Sequence, residues 1–290
     1  MTTISHIFEQ FAQALELSEP EERNASQQQN SLRENLRRTL GGFVTDRLIG
    51  SYARRTAIRP LHDIDLLVVL DPAVHSDVSM ASPNACLRKV QRALAASYPN
   101  KVTPDLQRRS VGISFSGSGI DYDVVPAFEV PGMQNVYRIP DRVGNVWIHT
   151  NPALHAERST QANARAANKL KPVFKMLKYW RRTAGCGLAS FHMEALSWDV
   201  FPGDPGRYPD ALCLLTEALS IRVRGSCPDP ARVGPAVDAD LTVSSRDREV
   251  RRLSEAAQHM RRILTMERQG DVPRAIAEWR ALLGNVFVGK

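Results

Sequence analysis

The stretch from Leu48 to Leu70, LIGSYARRTAIRPLHDIDLLVVL, constrains this chain more than any other. An apolar run ends at Gly50 and Ser51, a polar and basic connection follows, and Asp63 and Asp65 open a second apolar run, Leu66 to Leu70. That run is aliphatic and β-branched, too short for a helix and of the right length for a buried strand. Residues two apart in a strand share a face, so Asp63 and Asp65 stand side by side at the mouth of a sheet. Carboxylates that close repel each other unless a cation lies between them, and a hard, oxygen-liganded cation such as Mg²⁺ answers that need. The Gly50-Ser51 turn can offer backbone N–H groups and a hydroxyl to a phosphate. Phosphate on one side and metal on the other point to a nucleoside triphosphate.

Around this stretch the chain reads as follows. Ile4, Ile7, Phe8, Phe11 and Leu15 recur at helical spacing and predict an amphipathic N-terminal helix. Residues 18–29 are either a mobile connection or the solvated opening of the next helix. That helix carries Leu32, Leu36 and Leu40 on one stripe and stops at Gly41-Gly42. Phe43 to Ile49 and Asp63 to Leu70 are strands, and Asn84 to Tyr98 is a helix that packs on the sheet. Arg109 to Phe115 and Ile120 to Phe128 form a hairpin through Ser116-Gly117-Ser118-Gly119. Asp121 and Asp123 share one face of its second strand, IDYDVVPAF, and either can join the first two carboxylates.

Pro131 to Pro152 is broken by prolines and glycines and reads as irregular, with the domain boundary near its end. Beyond it the pattern is helical: His155 to Arg182, Ser190 to Phe201, Pro209 to Arg222, Ser245 to Arg268 and Pro273 to Leu283. Lys171, Lys175, Lys178 and Arg182 fall at intervals of four, three and four and so share a helix face. Lys171 and Lys175 read as solvated. His192 and Glu194 read as packing or capping residues, and Tyr179, Trp180 and Trp198 as core.

A net charge of +7 and a pI near 9.5 favour polyanionic ligands without choosing among nucleotides, RNA and DNA. Cys86, Cys186, Cys213 and Cys227 lack metal-site spacing and read as reduced thiols. No apolar run reaches spanning length and MTTISHIFEQ lacks a signal-peptide pattern, so no membrane association and a cytoplasmic location are expected.

Taken together, GSY, DIDLLVVL, DVVPAF, KMLKYW and ASFHME resemble the cGAS/DncV-like nucleotidyltransferases (CD-NTases) of bacterial CBASS anti-phage systems, within the DNA polymerase β-like superfamily. The resemblance covers roughly Ser31 to Leu283. It implies an α+β fold: a nucleotidyltransferase core with the N-terminal helices over residues 1–154, built on a mixed sheet flanked by helices, and a helical domain over 155–290 that completes the nucleotide cleft. The family pattern of an Asp before an aliphatic pair and Pro-Ala selects Asp123 over Asp121. It further implies triphosphate contacts from Gly50, Ser51, Lys178 and Ser190, and two Mg²⁺ ions, replaceable by Mn²⁺, on Asp63, Asp65 and Asp123.

The implied activity is synthesis of a cyclic di- or trinucleotide messenger from ATP or other NTPs. The implied partners are a downstream effector that binds the product and a CBASS-associated regulator, with a partner acting on the C-terminus among them. No specific nucleic acid partner is expected, since no His/Cys cluster could form the zinc thumb of the animal DNA sensor. The alternative is a template-independent RNA nucleotidyltransferase, or a small-molecule or protein nucleotidyltransferase; a non-catalytic sensor on the same fold stands further off.

Overall fold

A computed structural model describes residues 3–79, 82–100 and 103–287. In chain order its elements are α1 (Ile4–Ala14), α2 (Glu19–Leu40), β1 (Phe43–Ile49), α3 (Gly50–Ala53), β2 (Asp63–Leu70), α4 (Ser76–Ser79), α5 (Pro83–Ser97), β3 (Asp105–Leu106), β4 (Val111–Phe115), β5 (Ile120–Glu129), β6 (Tyr137–Asp141), β7 (Val146–Thr150), α6 (Pro152–Arg165), α7 (Leu170–Thr183), α8 (Ser190–Ser197), α9 (Tyr208–Arg222), α10 (Val243–Arg268) and α11 (Val272–Leu283).

The two-residue period of β2 decides what each sheet face does. Ile64, Leu66, Val68 and Leu70 point into a core closed by α2 and α5, where Leu32, Leu36, Leu87, Val90 and Leu94 meet them. Leu67 and Val69 point the other way, with Val125, Ala127, Tyr137 and Ile139. Asp63 and Asp65 continue that second face beyond its apolar patch. The strand order is β1-β2-β5-β4-β3, with β2 and β5 parallel and the other pairs of this path antiparallel. The sheet is therefore mixed, flanked by helices, and followed by a mostly helical half, the architecture expected from the resemblance.

Several local expectations change. Residues 18–29 open α2: the Ser18 side chain accepts from the Glu21 N–H while Glu21 answers to the Ser18 backbone, a capping box that fixes the start of the helix. The 131–152 stretch is not irregular throughout, because β6 and β7 form an antiparallel hairpin inside it. The helix expected from His155 to Arg182 is two helices. Ala167 and Asn168 are left-handed (φ 50° and 62°), and the Asn163 side chain accepts from the Lys171 N–H at 2.9 Å to begin α7. Apolar periodicity runs through such a break unaltered, which is why it does not reveal it.

The helical half buries Val173, Phe174, Leu177 and Trp180 of α7 against α9, α10 and α11. Helix α1 packs in this same cluster through Ile4, Phe8 and Phe11, with Phe8 edge-on to Trp279 at 5.0 Å. Lys175 is not solvated as expected: it is 5% exposed and pairs with Glu16 at 2.6 Å, just beyond α1. Lys171 is half-buried, with burial pulling its pKa down. Among the described residues no helix is long and apolar enough to cross a membrane.

Candidate active site

The Gly50-Ser51 turn is the first half of a single helical turn, α3, that caps the end of β1 directly beside β2. Its geometry demands glycine twice over. Gly50 has φ +64°, and a Cβ there would stand 1.7 Å from Asp65 Oδ2. The loop then folds back, as the Thr56 and Ala57 N–H groups both donate to the Ser51 carbonyl at 2.8 and 3.1 Å.

The parallel register sets Asp63 opposite Asp121 and Asp65 opposite Asp123. Four carboxylates thus share one sheet face, but only three, Asp63, Asp65 and Asp123, line the cleft beyond the turn. That cleft, about 520 Å³, is also lined by Gly50, Ser51, Arg54, Arg109, His155, Lys178, Arg181, Arg182 and Ser190. Every residue expected at the site from the sequence is therefore in one cavity, supplied by both halves of the chain. A larger cavity of about 790 Å³, lined among others by Thr45, Arg47, Glu129 and Tyr137, contains none of them.

Burial pushes the Asp65 carboxyl above the ordinary carboxylate range, with Asp63 adding to the rise and Arg54 and Lys178 opposing it. Asp123 is pushed up to about 6, by burial first and then by the charges of Asp65 and Asp63. Its Oδ1 accepts from the Gln107 amide at 2.7 Å, and Ser110 donates to Gln107 Oε1 at 2.9 Å, which fixes that amide's orientation. Opposite Asp123 in the ladder stands Gly112, where a Cβ would lie 2.9 Å from Gln107 Nε2. Among the described residues no group of three His, Cys, Asp or Glu side chains is gathered closely enough to enclose a metal ion unaided.

On the opposing wall, Lys178 of α7 is 6% exposed and donates to the Thr56 carbonyl at 3.1 Å. Burial pulls its pKa down to about 8, partly offset by Glu194. Ser190 opens α8, and its Oγ is buried without a hydrogen-bond partner. Arg181 Nε donates to the Leu188 carbonyl and so braces the loop leading to Ser190. His155 Nε2 lies 2.7 Å from Asp229 Oδ1, and its ring leans on Phe191 at 5.0 Å.

Sequence reasoning missed Arg54, Gln107, Arg109, Arg181 and His155. Arg54 stands inside the stretch that carries the signature, yet nothing in spacing separates it from Arg55, which is exposed. His192 is buried, in keeping with a packing role, whereas Glu194 neither packs nor caps but forms a buried ion pair with Arg54.

A parallel strand pair carrying adjacent carboxylates, a glycine-led turn before it and a lysine and serine facing it define a nucleotidyltransferase of the polymerase β kind. Residues 1–163 match the Second Messenger Oligonucleotide or Dinucleotide Synthetase domain. The chain belongs to that family of CD-NTases, and it is a nucleotidyltransferase. It is 28% identical over 259 residues to a cyclic AMP-AMP-AMP synthase of an Acinetobacter strain, an alignment covering 83% of this chain and 71% of that protein. It is 26% identical over 181 residues to the CBASS oligonucleotide cyclase CdnC of Escherichia coli, covering 58% of this chain and 56% of the relative.

The fold is shared with solved structures. E. coli CdnC with ATP superposes with TM-score 0.76 at 22% identity over 98% of both chains. The Bradyrhizobium diazoefficiens CD-NTase CdnG with GTP superposes with TM-score 0.78 at 14% identity, over 98% of this chain and 96% of that one. E. coli CdnC has also been solved in complex with HORMA-deltaN, with TM-score 0.75 at 21% identity over 98% of both chains.

Proposed function

We propose that this chain joins ribonucleoside triphosphates into a cyclic oligonucleotide messenger of two or three nucleotides, in CBASS-type anti-phage signalling in the cytoplasm. The observation that carries the reading is the convergence of the Gly50-Ser51 turn, the Asp63/Asp65/Asp123 face, Lys178 and the unpartnered Ser190 hydroxyl on one cleft. Residues 1–154 would supply the carboxylates and the turn, and residues 155–290 the cationic wall, with α1 packed against the second part.

The donor set fits a hard divalent cation. Asp65 and Asp123 are half-buried carboxylates set beside each other, and Mg²⁺ takes only one or two protein carboxylates, completing its shell with water and phosphate oxygen. That requirement explains why no closed cage is needed. Asp63, Asp65 and Asp123 would hold two Mg²⁺ or Mn²⁺ ions, whose chemistry is to acidify the attacking ribose hydroxyl and to stabilise the departing pyrophosphate.

The chain's own residues do the rest. Gly50 and Ser51 receive the donor's phosphates on backbone N–H groups and a hydroxyl, and Lys178 and Ser190 grip the triphosphate from the other side. Asp123, its Oδ1 held by Gln107, stands where it can take the proton of the acceptor hydroxyl. The hydroxyl oxygen bonds to the α-phosphorus as the bond to pyrophosphate breaks, so catalysis is chiefly positioning and charge stabilisation. The expected partners are the NTP substrates, an effector that binds the product, and a regulatory protein; residues 288–290, where a partner could act on the C-terminus, lie outside the described residues.

The test is to incubate the purified protein with Mg²⁺ or Mn²⁺ and all four labelled ribonucleotides, then resolve phosphatase-resistant products by chromatography and mass. Cyclic species of two or three nucleotides are expected. Linear products, or transfer only onto added RNA, would move the assignment to an RNA nucleotidyltransferase.

A further inference from the structure

The Gly50-Ser51 turn lies in the sheet half and Lys178 and Ser190 in the helical half, so a triphosphate gripped by all of them requires a fixed distance between the halves. Besides Lys178, which reaches the Thr56 carbonyl, a buried carboxylate spans that gap. Glu194, 2% exposed, accepts from Arg54 Nε at 2.9 Å and Arg54 Nη2 at 3.0 Å, from Thr56 Oγ1 at 3.0 Å and from Ser159 Oγ at 3.2 Å. Four donors saturate the acceptor sites of an ionised carboxylate. Glu194 has nothing left with which to touch a nucleotide, so any effect it has must pass through its partners.

Those partners are the site. Arg54 follows the Gly50-Ser51 turn directly and lines the cleft. Thr56 is a three-way joint: its N–H closes the turn onto the Ser51 carbonyl at 2.8 Å, its hydroxyl reaches Glu194, and its carbonyl receives Lys178 Nζ at 3.1 Å. Glu194 itself lies four residues after Ser190 on α8, one helical turn along the same face. Fixing Glu194 therefore fixes where the Ser190 hydroxyl sits relative to the Gly50-Ser51 turn.

Stability alone is a weak reason for this arrangement. A buried ion pair gives back in desolvation much of what attraction supplies, and well-packed apolar groups often serve the fold as well. Directional, bidentate geometry is what apolar groups cannot supply.

We propose that Glu194, acting through Arg54 and Thr56, is the positioning residue that registers the Gly50-Ser51 turn against Lys178 and Ser190 and so sets the affinity for the donor triphosphate. The proposal rests on reading the cleft as a triphosphate site. It is tested by calorimetric titration of the full chain with Mg²⁺ and ATP, or whichever of the four ribonucleoside triphosphates the wild type binds most tightly. The proteins compared are wild type, Glu194→Gln, Thr56→Val, Lys178→Ala and the Glu194→Gln/Lys178→Ala pair, each with its melting temperature and its KM and kcat.

Glu194→Gln is expected to weaken nucleotide binding about tenfold or more, the scale of one charge-assisted hydrogen-bond set, and to raise KM more than it lowers kcat. Thr56→Val, which removes one hydroxyl and leaves the backbone joints, should move affinity in the same direction by less. Lys178→Ala should cost less in the Glu194→Gln background than in wild type, a coupling that a merely structural role would not produce. Wild-type affinity in a folded Glu194→Gln, or strict additivity with Lys178→Ala, overturns the proposal. If Glu194→Gln does not fold, unchanged affinity in Thr56→Val overturns it. A wild type that binds no nucleoside triphosphate removes the cleft reading and this proposal together, whereas binding that the variants leave intact removes this proposal alone.

Discussion

Gly50→Ala is the most searching single substitution. At φ +64° an alanine costs about 1–2 kcal/mol of backbone strain before any contact is considered. Its Cβ would then stand 1.7 Å from Asp65 Oδ2 and 2.6 Å from Asp65 Cγ, so one partner must retreat by about 1 Å or more. The backbone of β2 cannot give way, since it is laddered to β1 on one side and β5 on the other. The Asp65 carboxylate must swing, and it is the group assigned to hold the cation.

A misplacement of that size costs about 100-fold in rate, whereas the strain lowers the melting temperature by only about 2–4 °C per kcal/mol in a chain of this size. The assay is nucleotidyl transfer and thermal unfolding on the same preparation. A Gly50→Ala protein with wild-type turnover would refute the close approach of turn and carboxylate. So would collapse of the fold with no activity-specific loss.

Other expectations follow from the charges. Asp65→Asn and Asp123→Asn should abolish product without lowering the melting temperature in EDTA, because each removes a carboxylate whose charge burial and the neighbouring aspartates disfavour on balance; a large loss of stability in either would contradict this. For Asp123 the sign is worked from a folded pKa of about 6 against 3.8 unfolded. The native state holds this proton more tightly, so its contribution to stability falls as pH rises from about 4 to 6 and is flat above. The melting temperature of Asp123→Asn relative to wild type, in EDTA, should rise across that window, and a pH-independent difference would refute it.

Lys178, with a pKa pulled to about 8, loses its charge above that pH. The wild-type kcat/KM should fall above pH 8, and Lys178→Met should lose that limb along with much of its nucleotide affinity. Finally, Gln107→Leu should slow turnover with little change in nucleotide binding, since Gln107 touches Asp123 and not the phosphate-facing groups. Equal loss of affinity would place it elsewhere in the mechanism.

The sequence by itself determined the sheet face and its chemistry. The period-two pattern of DIDLLVVL fixes which residues flank Asp63 and Asp65, and that of IDYDVVPAF puts Asp121 and Asp123 on one face; that Asp123 stands beside Asp65 is a matter of the parallel register, which the fold decides. The apolar stripes of α2, α5 and α7 are equally local properties and legible along the chain, whereas the Ser18–Glu21 capping box went unread and residues 18–29 stayed open between a connection and a helix start. Tertiary structure alone decided the rest. Nothing in the spacing tells that Lys175 is buried against Glu16 while Lys178 turns to Thr56, since both lie on one basic helix face.

The break at Ala167 and Asn168 and the β6–β7 hairpin also went unread although their partners are local, the Asn168 N–H returning to the Asn163 carbonyl and Asp141 pairing with Val146: apolar periodicity carries no mark of a left-handed residue, and the prolines and glycines of 131–152 mask the strand alternation. The union of Arg54 with Glu194, 140 residues apart, is the plainest case. A charge reads as solvated until the fold removes its water, and only the fold says which opposite charge takes the water's place.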